Sequence, residues 1–346
     1  SHTISAKGGV GFVLFGFLEM RAAIFIFLFA FSLRGADDLI DIGGVKLQRV
    51  LHLDRVTGTN DHFGALLFDG NGHLVKHDRN RTWLYCGAKE DKWVSFVREF
   101  NLDTLKSKPR RKALSTYQND RWASVHLAVK VAEDFIVLFY STGKQVRAAV
   151  SQNPEGPFVT DPDFGIRPSQ VWEKDCSLES DCGFVKISED ANELRIWKLY
   201  DTLGKGSSGQ NGWAEVRLDK KTRKVELVRK HSANPIKLLR PDFVAARTGG
   251  NIDSQIRFNG QYPLFYLSKK NSTRYRIAVA LGKDPLFQSI SHNREIAEPL
   301  GEEVVIEKFQ FYQHAGHLFL IYENSNRHND WRTSIRKYRM ISGSLR

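Results

Sequence analysis

A five-bladed β-propeller, an all-β fold, is predicted by three observations. Short apolar runs ending in tyrosine recur five times, further strand-like runs flank each of them, and long helical periodicity is missing between residues 40 and 346. The tyrosine runs are TWLYCGAK at Tyr85, LFYSTGK at Tyr140, WKLYDTLG at Tyr200, LFYLSKK at Tyr266 and LIYENSN at Tyr322, at intervals of 55, 60, 66 and 56 residues. Self-similarity at a steady period marks a repeat architecture. Radial repetition lets each sheet bury both faces on its neighbours and protects its edges.

In chain order, the first unit reads FGALLF (63–68), the Tyr85 run and WVSFVREF (93–100). The second reads SVHLAVKV (124–131), the Tyr140 run and QVRAAVS (145–151). The third has GFVKI (183–187), the Tyr200 run, WAEVRL (213–218) and a fourth strand, KVELV (224–228). QIRF (255–258), the Tyr266 run and YRIAVAL (275–281) form the fourth; EKFQFY (307–312), the Tyr322 run and RTSIRKYRM (332–340) form the fifth. Small or polar turn residues close the runs, as strands require. Units two and four match best: LFYSTGKQVRAAVSQNPEGPF (138–158) parallels LFYLSKKNSTRYRIAVALGKDPLF (264–287). A doubly wound α/β fold lacks its helices here, and immunoglobulin-type units repeat nearer ~100 residues.

Composition agrees. The 346 residues hold 41% hydrophobic and 26% charged side chains, which excludes a wholly disordered chain. The 23 Phe, 10 Tyr and 7 Trp suit pleated surfaces. Three cysteines are too few for a disulfide scaffold; Cys176 and Cys182 could close a small loop, and Cys86 reads as a buried free thiol. No Cys or His spacing reads as a zinc site; His73 and His77 read as surface residues.

Residues 1–36 differ from the rest. Two apolar runs, 9–18 and 22–33, are separated by Glu19, Met20 and Arg21, and each is shorter than a membrane span. From Met20 the segment has a basic start, a short apolar region and a small-residue exit, the shape of a signal peptide. On that reading translation starts at Met20 and the mature chain begins between Leu33 and Asp38 with no stable membrane insertion; the other reading is an uncleaved anchor. Either exports residues 37–346, a single propeller domain, to a secreted, periplasmic or cell-envelope setting.

Several motifs are set aside. GKGSSG (204–209) matches a dinucleotide fingerprint, but a strand-like run follows it where a helix is needed, so it reads as a hairpin loop. The net charge of +12 is dispersed apart from KSKPRRK (106–112), which reads as a solvated loop, so a nucleic-acid partner is not expected. Attraction to an acidic polysaccharide or envelope surface fits the charge.

The acidic residues are more informative. Each unit has one near the start of its first strand: Asp61, Asp120, Asp181, Asp253 and Glu307. Carboxylates converging on one funnel are what glycoside hydrolysis needs, one protonated as general acid and another ionised as base or nucleophile. His62, Trp122 and His126 lie beside these positions, and an indole can stack on a sugar ring.

The stretch WASVHLAVKVAEDFIVLFYSTGKQVRAAVSQNPEGPF (122–158) resembles the second blade of the five-bladed glycoside hydrolases, especially family 43 and its relatives. NDHFGALLFDGNG (60–72) resembles their first blade, and the likeness spans residues 50–340. The resemblance implies an Asp base in blade 1, an Asp tuning the acid in blade 2 and a Glu acid in blade 3. Carried over, Asp61 is the base. After Trp-Ala-Ser the chain has Val125 where the pattern has an acid, and Asp120 stands in. In blade 3 Asp181, with only Cys182 between it and the GFVKI strand, is taken as the acid, while Glu179 has the expected residue type.

The expected catalytic set is thus Asp61, Asp181 and Asp120, with His62, Trp122, His126, Glu179, Asp253 and Glu307 binding a glycan substrate. The resemblance implies direct displacement by water with inversion, for which the acid and base carboxyls lie roughly 6.5–9.5 Å apart. No cofactor is expected beyond a structural cation in the central channel. The alternative is a non-catalytic carbohydrate-binding propeller of the cell envelope.

Overall fold

A computed structural model describes residues 39–57, 61–203, 210–238, 245–247, 250–252, 256–269, 275–326, 328 and 330–345. The N-terminal apolar segment, GKGSSG and Asp253 lie outside the described residues.

Strands dominate. β1 (Leu39–Ile42) and β2 (Val45–Leu53) come first. β3 (His62–Asp69), β4 (Arg81–Lys89), β5 (Trp93–Asn101), β6 (Lys106–Ser107) and β7 (Arg111–Leu114) follow as an antiparallel group, with β6 and β7 both on the edge of β5. β8 (Ser124–Ala132), β9 (Phe135–Ser141), β10 (Val146–Ser151) and β11 (Val159–Thr160) form the next group. After a 3-10 turn at Val171–Glu173 come β12 (Ser177–Glu189), β13 (Glu193–Leu203), β14 (Asn211–Asp219) and β15 (Lys224–Lys230), paired in that order. β16 (Ala245–Arg247) pairs with β18 (Tyr262–Lys269), which continues to β19 (Arg276–Gly282) and β20 (Ile290–Ala297). Between them in the chain, β17 (Gly250–Ile252) instead joins β21 (Val305–His314) in parallel. β22 (His317–Ser325) and β23 (Trp331–Ser342) complete the order, and β23 pairs with β2, so the start and end of the described chain share one sheet.

Burial falls outward across a group, as hydrophobic patterning requires. β9 (FIVLFYS) is buried at every position and reads as a continuous apolar run, the mark of a strand covered on both faces. β15 (KVELVRK), at its sheet's edge, is mostly exposed and charged.

All five repeat tyrosines are fully buried, on β4, β9, β13, β18 and β22, each of which is paired antiparallel on both edges. A buried phenol needs an acceptor. Tyr85 donates to the Pro154 carbonyl at 2.7 Å, Tyr200 to Glu173 Oε1 at 2.6 Å and Tyr322 to Glu303 Oε1 at 2.6 Å. Tyr140 pairs with Thr160 Oγ1 at 2.8 Å, and Tyr266 donates to Asn293. Among the described residues the sheets, however, number four where the repeat predicts five. Tyr85 and Tyr140 share a nine-stranded sheet, because residues 67–69 of β3 pair in parallel with residues 128–130 of β8.

Two other expectations are corrected. KSKPRRK is largely exposed, as a solvated segment should be, but it supplies parts of β6 and β7 rather than a loop, and four of its five charges pair within the chain: Lys108 with Glu99 at 2.7 Å, Lys112 with Glu90 at 2.5 Å, Arg110 with Asp61 and Arg111 with Glu155. The three cysteines are unbridged: Cys182 is buried with its Sγ 3.9 Å from the Gly64 carbonyl, and Cys176 is half-buried. Cys86 is a buried thiol as expected; burial, then the nearby Asp61, push its pKa up to about 12.

Acid should unfold the chain. Burial works to raise the Glu173 and Glu303 pKa values, but it is outweighed. Hydrogen bonds from the Gln170 backbone, Lys230 and Tyr200 act on Glu173, and His52, Arg336 and Tyr322 act on Glu303. Both carboxyls therefore sit below the ordinary glutamate value of 4.5. A depressed folded-state pKa contributes stability that is present above the unfolded value and lost as pH falls through the folded one. Urea midpoints should therefore drop as pH is lowered below 4.5, and a midpoint constant through that range would contradict these pairings.

Candidate active site

One cavity of about 300 Å³ gathers residues from the starts of several strands. Strand geometry decides which ones. Successive side chains point to opposite faces, so at the start of β3 His62 turns into the cavity while its neighbour Asp61 does not. β8 contributes Ser124 and His126, the latter at a register shift between Val125 and Leu127, with Trp122 just before the strand. Trp122 packs on Gly143, where φ is +84° and a Cβ would stand 2.9 Å from the indole, so only glycine fits there. A bridge between Trp93 and Trp122 sets the two indoles on the same wall.

β12 contributes Glu179, and β21 contributes both Glu307 and Lys308. Adjacent residues on a regular strand cannot share a face. Here a bulge between Glu307 and Phe309 takes Lys308 out of the ladder, with φ at +23°, and brings its side chain into the cavity. Glu307 is the direct cross-strand partner of Glu323 on β22, so two carboxylates face each other on one face of the pair.

Lys308 Nζ lies 3.2 Å from Glu323 Oε2, and His62 Nδ1 donates to Glu323 Oε1. That bond fixes the His62 tautomer. The ring stacks on Trp331 at 4.8 Å and meets Trp93 edge-on at 4.4 Å. Burial works to raise the Glu323 pKa, yet Lys308 and His62 hold it below the ordinary carboxylate value. Burial works to lower that of Lys308, yet Glu323, Glu307 and Glu179 raise it, so the amine stays an ammonium. The carboxylates thus surround a cation of the chain's own. Among the described residues no three His, Cys, Asp or Glu side chains are grouped to hold a metal ion.

Of the residues expected from the sequence, the cavity brings together His62, Trp122, His126, Glu179 and Glu307. Asp61, Asp120 and Asp181 are not part of its lining. Asp61 is 1% exposed and bound by Arg98 and Arg110. Asp120 pairs with Arg147 at 3.1 Å; burial raises its pKa more than Arg147 lowers it. Asp181 is buried two residues beyond Glu179. Its backbone carbonyl accepts from Lys198, a fully buried amine whose pKa burial lowers to about 8.

Sequence reasoning missed Trp93, Lys308, Glu323 and Trp331. A signal existed for Glu323, which directly follows the repeat tyrosine Tyr322. The equivalent position in the second unit is Ser141, whose Oγ lies 3.5 Å from His126 of the same cavity.

Asp61→Asn weakens two ion pairs of a buried carboxylate. It should cost about 3 kcal/mol of stability while leaving turnover per folded molecule unchanged. Urea unfolding and active-site-normalised rates check both parts; a fully folded but inactive variant would restore Asp61 as the base.

Solved structures share this architecture. A glycoside hydrolase aligns with a TM-score of 0.58 at 12% identity, over 89% of this chain and 92% of that one. A thermostable family-43 glycoside hydrolase aligns at 0.51 with 14% identity, over 83% and 92%. Levansucrase from Bacillus subtilis aligns at 0.54 with 9% identity, over 85% and 89%. No protein-family model matches the sequence, and no curated protein does. The chain is related in fold to the family-43 group of propeller hydrolases across most of its length, and at these identities the likeness is one of architecture.

Proposed function

We propose that this chain is an exported glycoside hydrolase, folded as a five-bladed β-propeller, that cleaves a poly- or oligosaccharide with Glu179 as general acid and Glu307 as base. One observation carries the reading: Glu179, Glu307 and Glu323 share a single cavity with three tryptophans. Removing the two parallel joins leaves five antiparallel groups, β3–β7, β8–β11, β12–β15, β16 with β18–β20, and β21–β23 with β1–β2, which supports the blade count.

The roles follow from the surroundings. Glu323 has one oxygen on His62 and the other against Lys308, so it serves as a fixed anion. Glu307, beside the Lys308 ammonium, is the carboxylate that activates water. Glu179 comes from the third group, where the resemblance implies a Glu acid, and gives its proton to the leaving oxygen. Indole faces stack on the apolar side of a sugar ring, and the cavity volume suits a short glycan segment. Displacement by water inverts the anomeric centre.

A second reading, a carbohydrate-binding propeller without turnover, is favoured by Val125 in the place of the expected blade-2 acid and by the ion pairs that occupy Asp61. Proton NMR of the first sugar released from a panel of plant, algal and microbial glycans separates the two. The opposite anomer is expected to form first. Glycan binding with no release would establish the second reading.

A further inference from the structure

Lys308 is set among three acids by a backbone device. The bulge at Glu307/Phe309 and the φ of +23° turn a lysine inward, where a regular strand would turn it away. A non-glycine residue in that region costs about 1–3 kcal/mol and persists where its surroundings demand it. Without the ammonium, Glu307 and Glu323 would face each other as direct cross-strand neighbours. Two carboxylates so placed repel each other, which raises the pKa of one of them.

We propose that Lys308 is the positioning residue that sets the charge of the cavity, holding Glu307 and Glu323 as carboxylates so that one acts as base and the other anchors His62. The base assignment rests on the glycosidase reading; the charge setting does not. The charged and titratable groups around Lys308 are Glu307 on β21, Glu323 on β22 and Glu179 on β12. His62 of β3 lies on the far oxygen of Glu323, and His126 of β8 lines the same cavity. Lys308 lies 3.2 Å from Glu323 and buries most of its side chain.

The test needs no substrate. The full chain carrying ¹³C-carboxyl glutamate is titrated by NMR, with Glu307→Gln and Glu323→Gln assigning the two signals. In the wild type both signals should remain those of carboxylates down to about pH 4.5. In Lys308→Met one of them should titrate with a midpoint at least about one pH unit higher, and Lys308→Arg should restore the wild-type curves. Lys308→Gln gives the same comparison should the Met variant fail to fold. Curves for Glu307 and Glu323 that are unchanged in a folded Met or Gln variant would overturn the proposal. A wild type that cleaves no glycan would overturn the glycosidase reading alone.

Discussion

Glu179→Gln and Glu307→Gln should each lower turnover of a cleavable glycan by about 10²–10⁴-fold, the range for loss of a general acid or base. The two variants should differ with the leaving group. An activated aryl glycoside departs without protonation, so Glu179→Gln should recover much of its rate on that substrate. Glu307→Gln should not, because the water still lacks its base. Kinetics on paired natural and aryl glycosides read this directly. Equal losses on both substrates for both variants would contradict the division of roles. Each glutamine keeps the size of the side chain, so urea midpoints should stay close to that of the wild type.

Glu303→Ala should have the largest effect on stability, about 3–5 kcal/mol, the range for breaking a buried ion pair by removing one partner. Arg336 is 1% exposed, and its Nη2 lies 2.9 Å from Glu303 Oε2. Tyr322 would lose its acceptor at the same time. Glu323 follows Tyr322 on β22, so this network also anchors the site's scaffold. Burial first, with Glu303 adding to it and Arg336 opposing it, pushes the Tyr322 pKa well above the usual phenol range, so the hydroxyl is a donor and not an anion. Equilibrium urea unfolding measures the change; a loss under about 1 kcal/mol would show that Arg336 finds another partner.

The repeat tyrosines were legible because a buried phenol with a fixed acceptor recurs wherever the same strand recurs. The blade boundaries were less so. A three-residue parallel join between β3 and β8 leaves no trace in hydrophobic pattern, and it merges two groups into one sheet. In the site, the strand starts pointed to the right region. His62, His126, Glu179 and Glu307 line the cavity, and Trp122 does so beside Gly143. The three aspartates chosen as catalytic fell outside it for a local reason. Asp61 and His62 are adjacent on a pleated chain, so only one of them can face inward, and two arginines that are distant in sequence claim the other. Asp181 and Glu179 are two residues apart, and the register break that follows Ser180 cannot be read from residue types. Lys308 needed a bulge to arrive at all.

Release of reducing ends from a panel of polysaccharides, by the wild type and by Glu307→Gln in parallel, tests whether the cavity hydrolyses a glycan with Glu307 as base. With Glu307 as base, the wild type should release reducing ends from at least one polymer and the variant should lose nearly all of that release, with binding of that polymer retained. Equal release by both proteins, or none by either, would contradict that reading.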